Sequence, residues 1–448
     1  MKTHRLGKPL AAAFAVAFYA WLAAAPADAI AQRTWVGQTN GSRQFSTSAN
    51  WDGATAITAG DFLTFGSEPG YDGDVLNDLN AFSVTRLTFT GGGFYTLKGN
   101  PLTVTESVIF NEDGGNHSIE LNLLGKAETL VAAGARVHLS GANSFTGKVQ
   151  VLGELYVDSN GALGTAAAGT NVGPGGLLRM TGRDLVEPIS VDGPANDPKH
   201  STCIQSDGGT TILRDVQFSG DSCAASLGDV NFPNGIKVLT PDSDVVLGLG
   251  AFRVGGTSAG TGTVRPVLTN LVWNSTSTLN LVVGDFQGVS NESNLSGSGS
   301  AASLDFTGGG LVSPGTDAGP GRLSFSGAFR VDHAKVSFGL KGTTAGTGHS
   351  TVQAGGPVVI GPETEMQLAL YVGYTPTVGS QYRIIDNTLN QPITGTFKGL
   401  PEGAKFFQSG LPWSITYKGG TGNDVVVTAL QPDLRPFKRF VPLVAAGN

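Results

Sequence analysis

From Trp35 onward the chain is written in short apolar alternations of period two, cut every few residues by Gly, Asn and Asp. Tyr95 and Leu97 share one face of FYTL, Leu102 and Val104 one face of LTVT. Val149 and Val151 alternate in KVQVLG, as do Leu155 and Val157 in GELYVDS. One apolar face per segment predicts half-buried strands. No stretch shows a 3.6-residue apolar stripe of helical length, and the Ala-rich LGTAAAGT, bracketed by glycines, reads as a turn. The phrases also echo one another at uneven short intervals, as in LTFTGGGFYTLKG, ARVHLSGANSFTGKVQVLG and RLSFSGAFRV. Degenerate echoes of this kind predict a solenoid, in which each coil buries its face only against its neighbours.

The expected fold class is therefore all-β, a single-stranded parallel β-helix over residues 30–430. At roughly 20 to 30 residues per coil it would have about 13 to 20 coils. A sandwich or barrel competes, but a chain of this length needs two such domains and a linker. The Ser/Gly-rich Asn291–Ser303 is the place for a subdivision. In a continuous β-helix the same segment is expected to bulge from one coil as a loop. Composition agrees with a turn-rich all-β chain: 66 glycines, and charged residues at 14% against the ~25% of ordinary domains. Hydrophobic residues at 40%, regularly spaced, exclude disorder.

Residues 1–29 read as a signal peptide. Lys2, Arg5 and Lys8 form a basic start, an apolar run covers Leu10 to Ala25, and Ala27 and Ala29 supply a cleavage signal after Ala29. The run is too Ala-rich and short for a membrane span, which needs roughly 20 strongly apolar residues. The mature chain is expected to be exported, with no transmembrane segment, to the cell surface, the medium or the periplasm. Cleavage leaves 25 Lys+Arg against 34 Asp+Glu, moving the net charge from −7 to −9. No basic patch appears, which excludes nucleic acid and anionic membrane surfaces as partners. The two cysteines, Cys203 and Cys223, lie 20 positions apart, one coil of a β-solenoid. Neighbouring coils ~4.8 Å apart would bring them to disulfide distance. With no C-x-x-C and no clustered histidines, neither zinc nor another cofactor is expected.

Several constellations could carry chemistry. GDSC (220–223) has the outline of a protease nucleophile, with Ser222 attacking and His200 or His138 as base. Cys223, however, occupies the position where a flexible residue shapes an oxyanion hole, and a polar turn before a disulfide explains the motif as well. Arg183 and Asp184, Arg214 and Asp215, and Asp332, His333 and Lys335 could converge from adjacent coils on a polysaccharide. Hydrolysis needs paired carboxylates, and charged residues at sheet edges are sufficiently explained by suppression of edge pairing. No residue is assigned as catalytic. Trp35, Trp51, Trp273 and Trp413 could stack on sugars if exposed. The alternative places Trp35 and Trp51 as closure of the N-terminal end of the solenoid and packs Trp413 at the other end.

GGTGNDVVV (419–427) fits the nonapeptide of calcium-binding β-rolls. It stands alone, and Asn423 and Asp424 cannot supply the six to eight oxygens calcium wants. Ile415 and Tyr417 alternate before it, and Val425, Val427 and Ala429 after it. The expected structure is a C-terminal β-hairpin that seals the last coil, with Asp424 a turn residue and no metal bound.

Longer phrases carry a resemblance. SFTGKVQVLGELYVDSNGALG (144–164) resembles the autotransporter-associated β-strand repeat, with Phe145 and Lys148 in place of the usual Tyr and Thr. TWVGQTNGSRQFSTSANWDG (34–53) with AGDFLTFGS resembles the N-terminal segment of such proteins. LVSPGTDAGPGRLSFSGAFRV resembles their S-P-G coil, and YRIIDNTLNQPITGTFKGLPEGAKFF followed by SITYKGGTGNDVVVTAL their terminal unit. The resemblance implies a right-handed β-helix with an adhesive or structural role at the bacterial surface, meeting surface glycans or other extracellular components. Polysaccharide binding or degradation is the alternative. The departure is at the C-terminus. Residues 431–448 form a short tail, far less than the many ~10-residue strands of a translocator barrel. Either the chain is exported by the signal peptide alone or a further C-terminal part follows Asn448; self-translocation is not expected from these residues.

Overall fold

The computed structural model describes residues 31–37, 43–66, 73–111, 115–167, 169–194, 201–239, 244–248, 251–260, 262–267, 269–283 and 292–432. The signal peptide with its cleavage at Ala29, His200 and residues 433–448 of the tail lie outside the described residues. The chain is a β-solenoid of parallel stacked strands with about 11 turns. Among the described residues no helix is long and apolar enough to cross a membrane.

The chain divides into two compact units. The first runs to Leu295 and adds Gly299–Gly308; the second comprises Ser296–Ser298 and the chain from Gly309. The first unit contains a 13-stranded sheet that starts at Gln32–Trp35 and passes through Phe62–Phe65 and Phe82–Phe89 to Thr276–Ser277. Along one register line Trp35, Phe65, Phe89, Phe110, Val131 and Val151 lie directly above one another, each fully buried. The rings stack, Phe89 on Phe110 at 4.7 Å and 10°. Burial of each such side chain stabilises by about 1.5–3 kcal/mol, so the period-two pattern is the main source of cohesion. Tyr95, Leu97, Leu155 and Val157 face inward on a second ladder of the same unit, as their alternation requires.

The turns between strands bring coils into backbone contact. A Cβ on Gly147 would fall 1.9 Å from the carbonyl oxygen of Ala127 in the preceding coil, so only glycine fits in SFTGKV. Gly164, which closes the same phrase, adopts φ +84°. The coil period in this unit varies, from 18 residues between Arg136 and Glu154 and 20 between Cys203 and Cys223 to 27 between Ile189 and Val216 and 30 between Gln32 and Phe62.

In the second unit Arg322–Phe325 pairs with Thr351–Ala354, and Lys335–Leu340 with Glu365–Leu370, both parallel and roughly 30 residues apart. Gln381–Asn387 then pairs antiparallel with Asp424–Ala429, which pairs with Leu411–Gly419, itself paired with Lys405–Gln408. The expected hairpin is present and continues a sheet edge. The turn count falls below the expected 13 to 20 because the chain after Gln381 enters the antiparallel sheet and adds no further coils. The Ser/Gly-rich segment does not bulge as a loop. Asn294–Gly297, Ser300–Ala301 and Ser303–Phe306 are strands, because Leu295, Ala301, Leu304 and Phe306 keep the alternation and are buried.

Candidate functional site

Outward positions of the strands carry the polar chemistry, and coil register decides which of them meet. Asp184 lies opposite Ile212, which sets Arg214 beside it. Arg214 Nε and Nη2 donate to the two Asp184 oxygens at 3.0 and 2.6 Å. Asp215 pairs instead with Lys237 Nζ at 3.1 Å, and Arg183 Nε donates to the Val157 carbonyl. The two Arg-Asp motifs thus meet through one member of each, and each carboxylate is matched by its own cation. Asp332 accepts from the His333 backbone N–H at 2.9 Å, with its ring Nδ1 at 3.3 Å. His333 itself adopts φ +54°. This is a local turn, and Lys335 begins the strand that follows it.

The protease reading is overturned. Ser222 is fully buried on the inward side of its strand, Cys223 is bonded to Cys203, and His138 points outward four coils earlier in the ladder. Trp35, Trp51, Trp273 and Trp413 are fully buried as well, so none can stack on a sugar. Trp273 Nε1 donates to the Ser300 carbonyl at 3.0 Å, which a buried indole requires.

Among the described residues a dense polar arrangement lies on the outward face of the second ladder in the first unit. His138, Tyr156 and Arg179 occupy one register line in successive coils. The imidazole stacks on the phenol ring at 4.1 Å and 9°, and the Arg179 guanidinium covers the ring at 5.0 Å. Arg179 makes two bonds to Asp207, at 3.1 and 3.0 Å, and a third to Glu154 at 2.8 Å. Arg136 reaches the other Glu154 oxygen at 2.8 Å, and the Tyr156 hydroxyl donates to Glu154 at 2.7 Å. His138 Nδ1 lies 2.9 Å from Asp158. Burial works against charge on Glu154, but hydrogen bonds from Tyr156, Arg179 and Arg136 outweigh it and lower its pKa to about 2. Burial, then the bond to Glu154, pushes the Tyr156 phenol up. Bonds to Asp207 and then Glu154 raise Arg179.

In the neighbouring register line Glu154 is followed by Leu177, Cys203 and Cys223. The two cysteines lie directly opposite each other in adjacent coils, with Cα atoms 4.6 Å apart. Reduction of the purified chain is expected to raise the intact mass by two hydrogens, and thiol titration before reduction to find no free thiol among these two. Free thiols in the native protein would contradict the pairing. The sequence signal for the polar network was partial. GELYVDS puts Glu154, Tyr156 and Asp158 outward by alternation, but their partners in other coils lie 18 to 25 positions away.

Asp424 is not a turn residue. It opens the strand Asp424–Ala429 and is 1% exposed. Its carboxylate accepts from the Asn387 backbone N–H at 2.9 Å and lies 3.3 Å from Arg383 Nη1. Asn423 donates to the Asn387 carbonyl at 2.9 Å. Gly420 and Gly422 take φ of +55° and +103°, as the loop demands. The acidic residue of the nonapeptide therefore fastens the hairpin to Asn387. Among the described residues no group of three or more His, Cys, Asp or Glu is placed to hold a metal ion. No family model matches the chain, and no curated protein matches it.

Proposed function

We propose that this chain is exported and serves outside the cytoplasm as a structural or adhesive β-helix scaffold. The observation that supports this most is the outward line His138–Tyr156–Arg179 with Glu154 and Asp207. Each polar group there is held by a group from a neighbouring coil, giving a stiff face suited to contact with an extended partner. A disulfide between coils is compatible with an oxidising compartment. The basic, apolar and A-x-A segments of residues 1–29 give the route of export.

Fractionation of cells making the full chain tests the reading, with N-terminal sequencing of the product. The expected product lies outside the cytoplasm and starts at Ile30 or Gln32; an uncleaved cytoplasmic chain would overturn export. A second reading, polysaccharide binding, rests on the same face, since Tyr156 and Arg179 are side-chain types favoured at contacts. On a glycan array, binding weakened at least about tenfold by Tyr156→Ala would favour it. Release of sugar from a polysaccharide would favour degradation, and silence in both assays a purely structural role.

A further inference from the structure

In the second unit the ladder through Lys335–Leu340 and Glu365–Leu370 ends at the latter strand. Register fixes which of its backbone groups face the next, missing coil. Glu365 and Tyr371 donate back to the preceding coil, so the odd positions face inward along the ladder and Met366 and Leu368 face outward from it. A further parallel strand would place one peptide residue there, donating to the Met366 carbonyl and accepting from the Leu368 N–H. The side-chain amide of Gln408 makes both bonds. Its Oε1 accepts from Leu368 N at 3.0 Å, and its Nε2 donates to Met366 O at 3.5 Å. Ser409 Oγ donates to Leu368 O at 2.6 Å, and Ser409 holds φ +50°. Such a backbone conformation in a non-glycine residue persists only where surrounding contacts fix it.

We infer that Gln408 and Ser409 terminate this ladder by standing in for the next coil, and so close the edge of Glu365–Leu370 to a second copy of the chain. An open parallel-sheet edge is a template for pairing, and the partner always present at matching concentration is another copy. Two Glu365–Leu370 edges could pair antiparallel about a two-fold axis. The neighbouring ladder is closed differently, by backbone: Ile360 N donates to Thr394 O at 2.8 Å, and Thr394 N to Val358 O at 2.9 Å. The Gln408 corner is closed by side chains, which makes it open to substitution. The strand that carries it also presents Lys405 and an exposed Phe407.

The test compares the full chain with Gln408→Ala/Ser409→Ala by sedimentation velocity over a range of concentrations and by amide exchange. The expected result is exchange at Leu368 faster by about tenfold, together with concentration-dependent association that the unchanged chain does not show. Association that is the same in both chains would overturn the inference, as would a variant that stays monomeric or leaves Leu368 protected. Should the double variant lose its β-sheet circular dichroism, Gln408→Ala alone decides the question, because it removes both bonds to the ladder, adds no charge and leaves Ser409 in place. Unchanged association in that variant would overturn the inference equally.

Discussion

Trp51→Ala is expected to destabilise the start of the first unit by about 3–5 kcal/mol, the range for removal of a buried aromatic side chain. Among the described residues no coil precedes the strand Gln32–Trp35, and the aromatic residues of 34–53 cover that end. Trp51 is fully buried, with its ring 5.1 Å from Trp35, 5.6 Å from Phe45 and 5.9 Å from Phe65. Its indole N–H donates to the Phe45 carbonyl at 3.0 Å, and Trp35 and Trp51 also form a β-bridge. Truncation leaves a cavity and an unpaired buried carbonyl together. A solenoid couples mainly neighbouring coils, so the loss should concentrate in Gln32–Trp35 and Phe62–Phe65. Amide exchange in those strands should speed up by more than about a hundredfold, with little change beyond the next few coils. Trp51→Phe should cost less, since much of the ring volume stays. Unchanged exchange in Trp51→Ala would show that the aromatic cluster does not close this end.

Acid is expected to remove about 3 kcal/mol from the first unit between pH 6.5 and about 4, through His117. The residue is 2% exposed, packed among Phe89, Tyr95 and Phe110 at ring distances of 4.9, 5.9 and 5.9 Å. Its Nδ1 has no hydrogen-bond partner among the described residues. Burial lowers its pKa from 6.5 to about 4. The unfolded chain therefore takes up the proton first, so the stabilisation is complete above pH 6.5, declines as pH falls, and is fully lost below about 4. Urea unfolding at pH 7 and pH 4.5 gives the measurement. His117→Phe should flatten the slope while keeping the packing. His349 in the second unit is also buried, with its pKa lowered by burial, and leaves a residual slope of the same sign. An unchanged slope in His117→Phe would rule out His117 as its source.

Particular residues show how far sequence reading reaches. Leu155 and Val157 inward, with Glu154, Tyr156 and Asp158 outward, follow from period two alone, since successive side chains on a strand point to opposite faces. The Cys203–Cys223 pair was legible because a single disulfide and a 20-residue coil allow one arrangement. Arg179 was different. It bonds Glu154 25 positions back and Asp207 28 positions on, and no local pattern encodes those separations. Asp424 was misread because a Gly-Asn turn predicts a turn residue beside it, whereas Asn387, 37 positions earlier, draws it inside.

By itself the sequence determined the β-solenoid class, the inward line of each strand, the cysteine pairing and the closing hairpin. All of these depend on period two, local turn chemistry or a unique pair. Only the tertiary structure decided coil length, and coil length sets which outward side chains become neighbours. Turns of varying length shift register from coil to coil without disturbing the inward pattern, because burial rewards the alternation and is indifferent to the outward partner. The polar line at Tyr156, the Asp184–Arg214 pair and the Gln408 cap all depend on that register.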